Sequence, residues 1–170
     1  MERTRPAEAS SGVLAELYER HAPAAARLAY LLTGDRALAE DLVQEAFVRV
    51  VGRFRHLRVP DAFWAYLRRT IVNLHTSELR RRRLERAHLE REGRREELDT
   101  RMPDVGTRED LWRAVLALPA RQRAAVVLRF YKDLSERETA DVLHCSTAAA
   151  KSLVARAMQT LRADIERRSA

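Results

Sequence analysis

The sequence predicts an all-α protein of two small helical domains joined by a flexible charged linker, the second domain containing a helix-turn-helix. Three observations carry this prediction. Apolar residues recur at three- and four-residue spacing along most of the chain, and no period-two alternation is long enough for a sheet. Pro and Gly punctuate that pattern at Pro23, Gly34, Gly52, Pro60, Gly93, Pro103, Gly106 and Pro119. Between Leu84 and Thr107 the residues are mostly charged, of both signs, with little apolar content, which is the composition of a linker that begins as a frayed helical extension. The domains then cover residues 13–83 and 108–165, with the linker over 84–107.

The first helical stretch, Val13 to about Leu32, spaces Leu14, Leu17, Tyr18, Leu28, Leu31 and Leu32 as one helix face. Pro23 is expected to break or kink it, taking the first position of a second helix. Thr33-Gly34-Asp35 reads as a stop and restart, because Gly tolerates the left-handed end of a helix and Asp accepts from the free N–H groups of the next. That next helix, Arg36 to about Phe54, puts Leu38, Leu42, Ala46, Phe47, Val50 and Phe54 on its apolar face and Glu40, Asp41, Gln44 and Glu45 on the other. After Pro60-Asp61, the stretch Ala62 to about Arg83 carries the stripe Phe63, Tyr66, Leu67 and Ile71, with Arg68, Arg69 and the run Arg80 to Arg83 on polar ground.

Beyond the linker, Leu111, Val115 and Leu118 form a short helix ended by Pro119, and Ala120 to Tyr131 forms another with Ala125, Val126, Leu128 and Phe130 inward. Ser135-Glu-Arg-Glu138 is a capping box, in which the hydroxyl and the carboxylate satisfy free N–H groups at a helix start. It opens a short helix, Glu136 to Leu143. His144-Cys145 makes a turn, Ser146 or Thr147 caps again, and the last helix runs to about Arg162 with Ala150, Val154, Ala157 and Leu161 inward.

Composition bounds the function. The 170 residues carry 32 Lys+Arg against 25 Asp+Glu, a net charge of +7. The excess is concentrated: Ala62 to Arg83 holds six Arg against Glu78 alone, and Val142 to Ala163 holds Lys151, Arg156 and Arg162 with no acid. Two separated basic surfaces suggest two contacts with a polyanion. No stretch approaches the ~20 apolar residues of a membrane span and the N-terminus lacks a signal-peptide layout, so a cytoplasmic, soluble protein is expected. Cys145 is the sole cysteine, and the five His show no metal-ligand spacing, so neither a metal nor another cofactor is expected. Without a Gly-rich phosphate loop, a His-Glu-x-x-His motif or a nucleophile elbow, the sequence gives no reason to expect an enzyme.

The last helix pair carries the most specific pattern. A helix entering the major groove needs a small, polar or basic outer face free of carboxylates. The first helix of the pair bears Glu136, Glu138 and Asp141, whereas the second turns Ser146, Thr147, Lys151, Ser152, Arg156 and Gln159 outward. An ordinary antiparallel pair with a solvated face is the competing reading. The block from Phe63 to Arg83 reads as a helix-loop-helix combining aromatics, arginines and short polar residues, which suits single-stranded nucleic acid held by stacking and by amides or hydroxyls on exposed base edges. Phe63, Trp64 and Tyr66 serving as core, with Arg80 to Arg83 a solvated helix end, explains the same residues. The acidic face of the second helix is either solvated surface or a docking face for a basic partner.

Three segments together resemble the extracytoplasmic-function sigma factors of bacterial RNA polymerase, in particular the SigE-like actinobacterial group. They are LLTGDRALAEDLVQEAFVRV (Leu31 to Val50), the VNLHTS segment with its Arg run (Val72 to Arg83), and LPARQRAAVVLRFYKDLSERETADVLHCS (Leu118 to Ser146). The resemblance implies a promoter-specificity subunit that binds core RNA polymerase and directs transcription initiation at promoter DNA, contacting both the duplex and the non-template single strand. It implies that Asp41, Gln44 and Glu45 meet the clamp helices of the largest catalytic subunit. Arg68 and Arg69, the loop residues Asn73, His75 and Thr76, and Arg80, Arg81, Arg82 and Arg83 would serve the minus-ten element, where a base is flipped from the stack. Ser146, Thr147, Lys151, Ser152 and Arg156 would serve the minus-thirty-five element. An anti-sigma factor is a further partner such a protein can have. Against the family pattern, His144 stands where Gly is usual in the turn, and Leu153 where a basic residue is frequent. The rival readings are a stand-alone helix-turn-helix regulator and a helical protein-interaction adaptor.

Overall fold

A computed structural model describes the backbone of residues 6–54, 62–91 and 106–169. Among the described residues seven α-helices follow in order: α1 (Pro6–Thr33), α2 (Arg36–Phe54), α3 (Phe63–Arg91), α4 (Gly106–Ala117), α5 (Ala120–Val126), α6 (Glu136–Leu143) and α7 (Thr147–Ser169). A π-helical turn, Val127–Tyr131, continues α5, and no strand occurs among the described residues. The chain forms two compact units, residues 1–74 and 75–170.

In the first unit α1 packs along α2. Leu17, Ala25, Leu28, Ala29 and Leu32 of α1 are buried with Ala39, Val43, Ala46, Phe47 and Val50 of α2. Rings extend the contact: Tyr18 meets Phe47 at 4.8 Å between centroids, Phe47 meets Phe63 at 5.9 Å, and His21 stacks on Phe63 at 5.3 Å. The link between α1 and α2 follows the expected chemistry. Gly34 adopts φ 72°, its N–H donates to the Tyr30 carbonyl, and the Asp35 Oδ1 accepts from the Leu38 N–H at 3.0 Å.

Two corrections arise in this unit. Pro23 lies inside α1 and does not break it into two helices. A Pro there removes one backbone bond, a cost of about 3 kcal/mol in a helix interior, and its exposed position leaves the orphaned carbonyl to water. The apolar residues on both sides of it are seated on α2, and that burial holds the helix through the proline. On α2 the buried stripe is rotated from the expected one: Ala39 and Val43 are inside, Leu42 is half-buried and Leu38 is exposed.

The core of the second unit joins Ala114, Val115 and Leu118 of α4, Val126 of α5, and Ala157 and Leu161 of α7, with Trp112 and Met158 against it. Leu111, one of the apolar positions that mark α4 in the sequence, and Phe130 are exposed. Phe130 sits in the π-helical turn, whose wider spacing rotates it off the face that buries Val127 and Leu128. α7 continues beyond Arg162 to Ser169, and α3 runs on through residues 84–91, the start of the expected linker. Residues 92–105 of that linker lie outside the described residues.

Candidate nucleic-acid interface

The helix-turn-helix is built by local chemistry that the sequence displays. Ser135 N–H donates to Glu138 Oε2 at 2.8 Å and Glu138 N–H donates to Ser135 Oγ at 3.2 Å, so the capping box is closed in both directions. α6 ends at Leu143, and His144 takes the left-handed conformation at φ 49°, ψ 54°. Ser146, rather than Thr147, caps α7: its Oγ accepts from the Ala149 N–H at 3.1 Å. From this start α7 buries Ala150, Ala157 and Leu161. Ser146, Thr147, Lys151, Ser152, Arg156 and Gln159 are all exposed. Ser152 Oγ is tied to its own helix at the Ala148 carbonyl, and Arg156 Nε donates to the Ser152 carbonyl at 3.2 Å. The exposed surface of α7 therefore presents three cationic side chains, Lys151, Arg156 and Arg162, and no carboxylate before Asp164.

Arginines on the neighbouring elements are spent differently. Arg121 Nη2 donates to the Leu143 carbonyl at 3.0 Å, Arg123 Nη2 donates to the carbonyls of Leu116 and Leu118, and Arg129 Nη1 donates to the Leu134 carbonyl. Each guanidinium satisfies carbonyls at a helix end or in a connection, groups that lack intrahelical donors. Burial lowers the Arg123 pKa from its ordinary value.

α3 holds the other basic candidates. Asn73, His75 and Thr76, expected in a loop, lie inside the continuous helix α3. The reason is packing: Phe63, Leu67, Ile71 and His75 repeat every fourth residue, all are buried, and the stripe carries the helix through the polar segment. His75 is 5% exposed and its Nε2 has no hydrogen-bond partner, so it is a core residue of this chain and not a surface contact. Burial, and then the charge of Arg123, push its pKa down to about 4, and it is neutral near pH 7. Arg69, Asn73 and Thr76 follow one another at four- and three-residue steps along another strip of α3, and all three are half-buried. The same register continues to Arg80 and Arg83; the side chains of Arg80, Arg81, Arg82 and Arg83 lie outside the described residues. Arg68 is half-buried on a different strip. Of the neighbouring aromatics, Phe63 is core, whereas Trp64 and Tyr66 are half-buried, with Tyr66 accepting a hydrogen bond from Arg53 at 3.2 Å.

On α2, Asp41, Gln44 and Glu45 are exposed together with Glu40. Glu45 pairs with Arg49 one turn on, at 2.8 Å. Val48, 73% exposed, lies beside them and was not singled out by its sequence context. Arg121 was likewise invisible in the sequence, because its partner carbonyl is 22 residues away.

Among the described residues no helix is long and apolar enough to cross a membrane, and no group of three or more His, Cys, Asp or Glu is placed to hold a metal ion. Cys145 is a free thiol.

Comparison with known proteins matches two segments of the chain. Residues 17–85 match the Sigma-70 region 2 family, and residues 108–161 match the Sigma-70, region 4 family. The chain is 36% identical over 147 residues to the RNA polymerase sigma-E factor of Streptomyces avermitilis, covering 84% of this chain and 79% of that protein. It is 34% identical over 158 residues to the ECF RNA polymerase sigma factor SigE of Mycolicibacterium smegmatis, covering 86% of this chain and 59% of that one. Two solved structures share the fold. The sigma factor RpoE of Bartonella quintana, in complex with the anti-sigma factor NepR, superposes with a TM-score of 0.67 at 24% identity, covering 88% of this chain and 94% of RpoE. CnrH, in complex with the cytosolic domain of CnrY, gives a TM-score of 0.62 at 26% identity, covering 94% of each chain. With both sigma regions matched in order on a chain whose described residues form helices and no strand, this protein belongs to the sigma-70 family of transcription initiation factors, in its extracytoplasmic-function group.

Proposed function

We propose that this chain binds core RNA polymerase through the exposed acidic face of α2 and directs it to promoters that α3 and α7 recognise. The observation that carries this reading is the coexistence, on one chain, of a carboxylate-bearing face at Asp41, Gln44 and Glu45 and a carboxylate-free outer face on α7. A DNA-binding regulator needs only the second. In this reading Lys151 and Arg156 neutralise upstream phosphates, while Ser146, Thr147 and Ser152 lie against base edges or sugar.

Arg69, Asn73 and Thr76 form the strip of α3 that meets the minus-ten region, with Arg68 beside it and Arg80 to Arg83 on the flanking phosphates. Asn73 carries both a donor and an acceptor on one amide, which lets it pair with the edge of an unstacked base. The two sigma regions act as separate domains over residues 13–83 and 108–165, with residues 84–107 between them. The protein works in the cytoplasm, carries no catalytic group of its own, and can be held by an anti-sigma factor, as RpoE of Bartonella quintana is held by NepR.

The direct test of the polymerase contact is co-migration of the full chain with core RNA polymerase on gel filtration. A stoichiometric complex is the expected result. A chain that binds duplex DNA but migrates apart from core polymerase is a stand-alone regulator, and the reading fails.

A further inference from the structure

Arg121 lies on the first turn of α5, whereas Leu143 is the last residue of α6. The guanidinium of the first donates to the carbonyl of the second at 3.0 Å. The end of α6 closes through a left-handed residue: the Ala140 carbonyl accepts from both the His144 N–H and the Cys145 N–H, the latter at 3.0 Å. The Leu143 carbonyl takes no part in that closure. It belongs to the peptide plane that must rotate if His144 is to leave φ 49° for the right-handed or extended regions. A residue with a Cβ pays to occupy the left-handed region, so a His at this position needs something that holds it there. Arg121 grips the carbonyl that would have to swing away.

We propose that Arg121 is a positioning residue: by holding the Leu143 carbonyl it fixes the left-handed turn at His144, and with it the direction in which α7 leaves α6 and meets duplex DNA. Arg123 and Arg129 donate to carbonyls too, but theirs belong to the end of α4 and to the segment before Ser135. Only Arg121, of these three, reaches the turn between α6 and α7. The turn geometry stands on the structure alone, and the consequence for DNA rests on the upstream reading given above.

The test couples two positions. Arg121→Met keeps an apolar stem and removes every donor. In hydrogen exchange of the full chain it should speed the Cys145 amide about tenfold, the size of one hydrogen bond to a charged group, while the Ala157 amide in the middle of α7 keeps its rate. Gly occupies the left-handed region without a Cβ penalty, so adding His144→Gly should return the Cys145 amide to within about threefold of the wild-type rate. Equal acceleration at Cys145 and Ala157 would mean that Arg121 supports the whole domain, and an unchanged Cys145 rate that it supports nothing; either overturns the proposal.

A second arm uses a duplex selected by the wild-type chain from a random-sequence pool. Arg121→Met should bind it roughly tenfold more weakly, by the same hydrogen-bond magnitude, and His144→Gly in that background should restore most of the loss. A loss that His144→Gly leaves in place, with the salt slope reduced by about one, marks a phosphate contact and overturns the positioning role. If the wild-type chain selects no duplex, the upstream reading fails, and the exchange result still decides whether Arg121 holds the turn.

Discussion

The arginines of α5 with its π-helical turn and the cations of α7 are close in sequence and opposite in use. Arg121, Arg123 and Arg129 each donate to backbone carbonyls of other segments. Lys151 and Arg156 stand on an exposed helix face. A count of basic residues treats the two groups alike, yet the first is committed to holding helix ends together and the second is open to a polyanion. Basic residues in this chain therefore stand open to a polyanion where they project from an exposed helix face; Arg156 bonds back to its own helix at the Ser152 carbonyl and stays exposed. The same distinction divides the carboxylates: Glu138 closes a capping box, while Asp41 and Glu45 lie on the open face of α2.

Four perturbations break or sharpen that contrast, beginning with the open acidic face, where the largest effect is expected. Asp41→Arg with Glu45→Arg reverses two charges against a basic partner and should weaken core polymerase binding by tenfold or more, since like-charge contacts at an interface cost several kcal/mol. Helicity should stay as in the wild type, because both side chains are exposed and the Glu45–Arg49 pair they disturb is worth only about 0.5 kcal/mol. Fluorescence titration against core polymerase, beside a circular dichroism spectrum, reads both.

The carbonyl-bound arginines should answer differently. Arg123→Met strips donors from the Leu116 and Leu118 carbonyls at the end of α4 and should lower stability by about 3 kcal/mol, the upper part of the range for hydrogen bonds to charged groups. Urea denaturation measures it. DNA affinity of the folded variant, at low denaturant, should be unchanged; a drop there would place Arg123 among the phosphate contacts.

His75 gives the pH signature of a buried group. Its pKa is about 4 in the folded chain against 6.5 for the ordinary group, so the unfolded chain binds the proton first. The stability that neutral His75 allows is complete above pH 6.5 and is lost as pH falls from there towards 4. Thermal melts between pH 7 and pH 4.5 should show a decline that His75→Leu flattens. If the variant and the wild type decline in parallel, His75 is not the group being titrated.

The outward cations should give the smallest effects. Lys151→Ala or Arg156→Ala should each weaken binding to every duplex about equally and reduce the salt slope by roughly one. A loss confined to a single promoter sequence would instead reveal base readout by that side chain.

What could be read ahead of the structure follows the range of the interaction. The Gly34 stop, the closed box at Ser135 and Glu138, and the bounds of α6 each depend on residues within five positions of one another, and all were legible. The second helix expected to start at Pro23 does not form, because the local cost of the proline is opposed by burial against α2, a contact between segments. The loop expected around Asn73, His75 and Thr76 was what the resemblance to sigma factors implied. The fourfold spacing of Phe63, Leu67, Ile71 and His75 signals helix instead, and a neutral His completes an apolar stripe without breaking it. On the candidate interface, the outward set of α7 was legible from its lack of carboxylates. The tie from Arg121 was not, because nothing in the sequence links it to Leu143.

The claim that one chain both engages polymerase and opens promoter DNA is tested most directly by permanganate probing of unpaired thymines on a promoter. Core polymerase with this chain should make non-template thymines of the minus-ten region reactive. Core polymerase alone should not, and Asn73→Ala should reduce the reactivity while leaving the closed complex in place. Duplex binding by the chain with no reactive thymine in the presence of core polymerase would contradict the account.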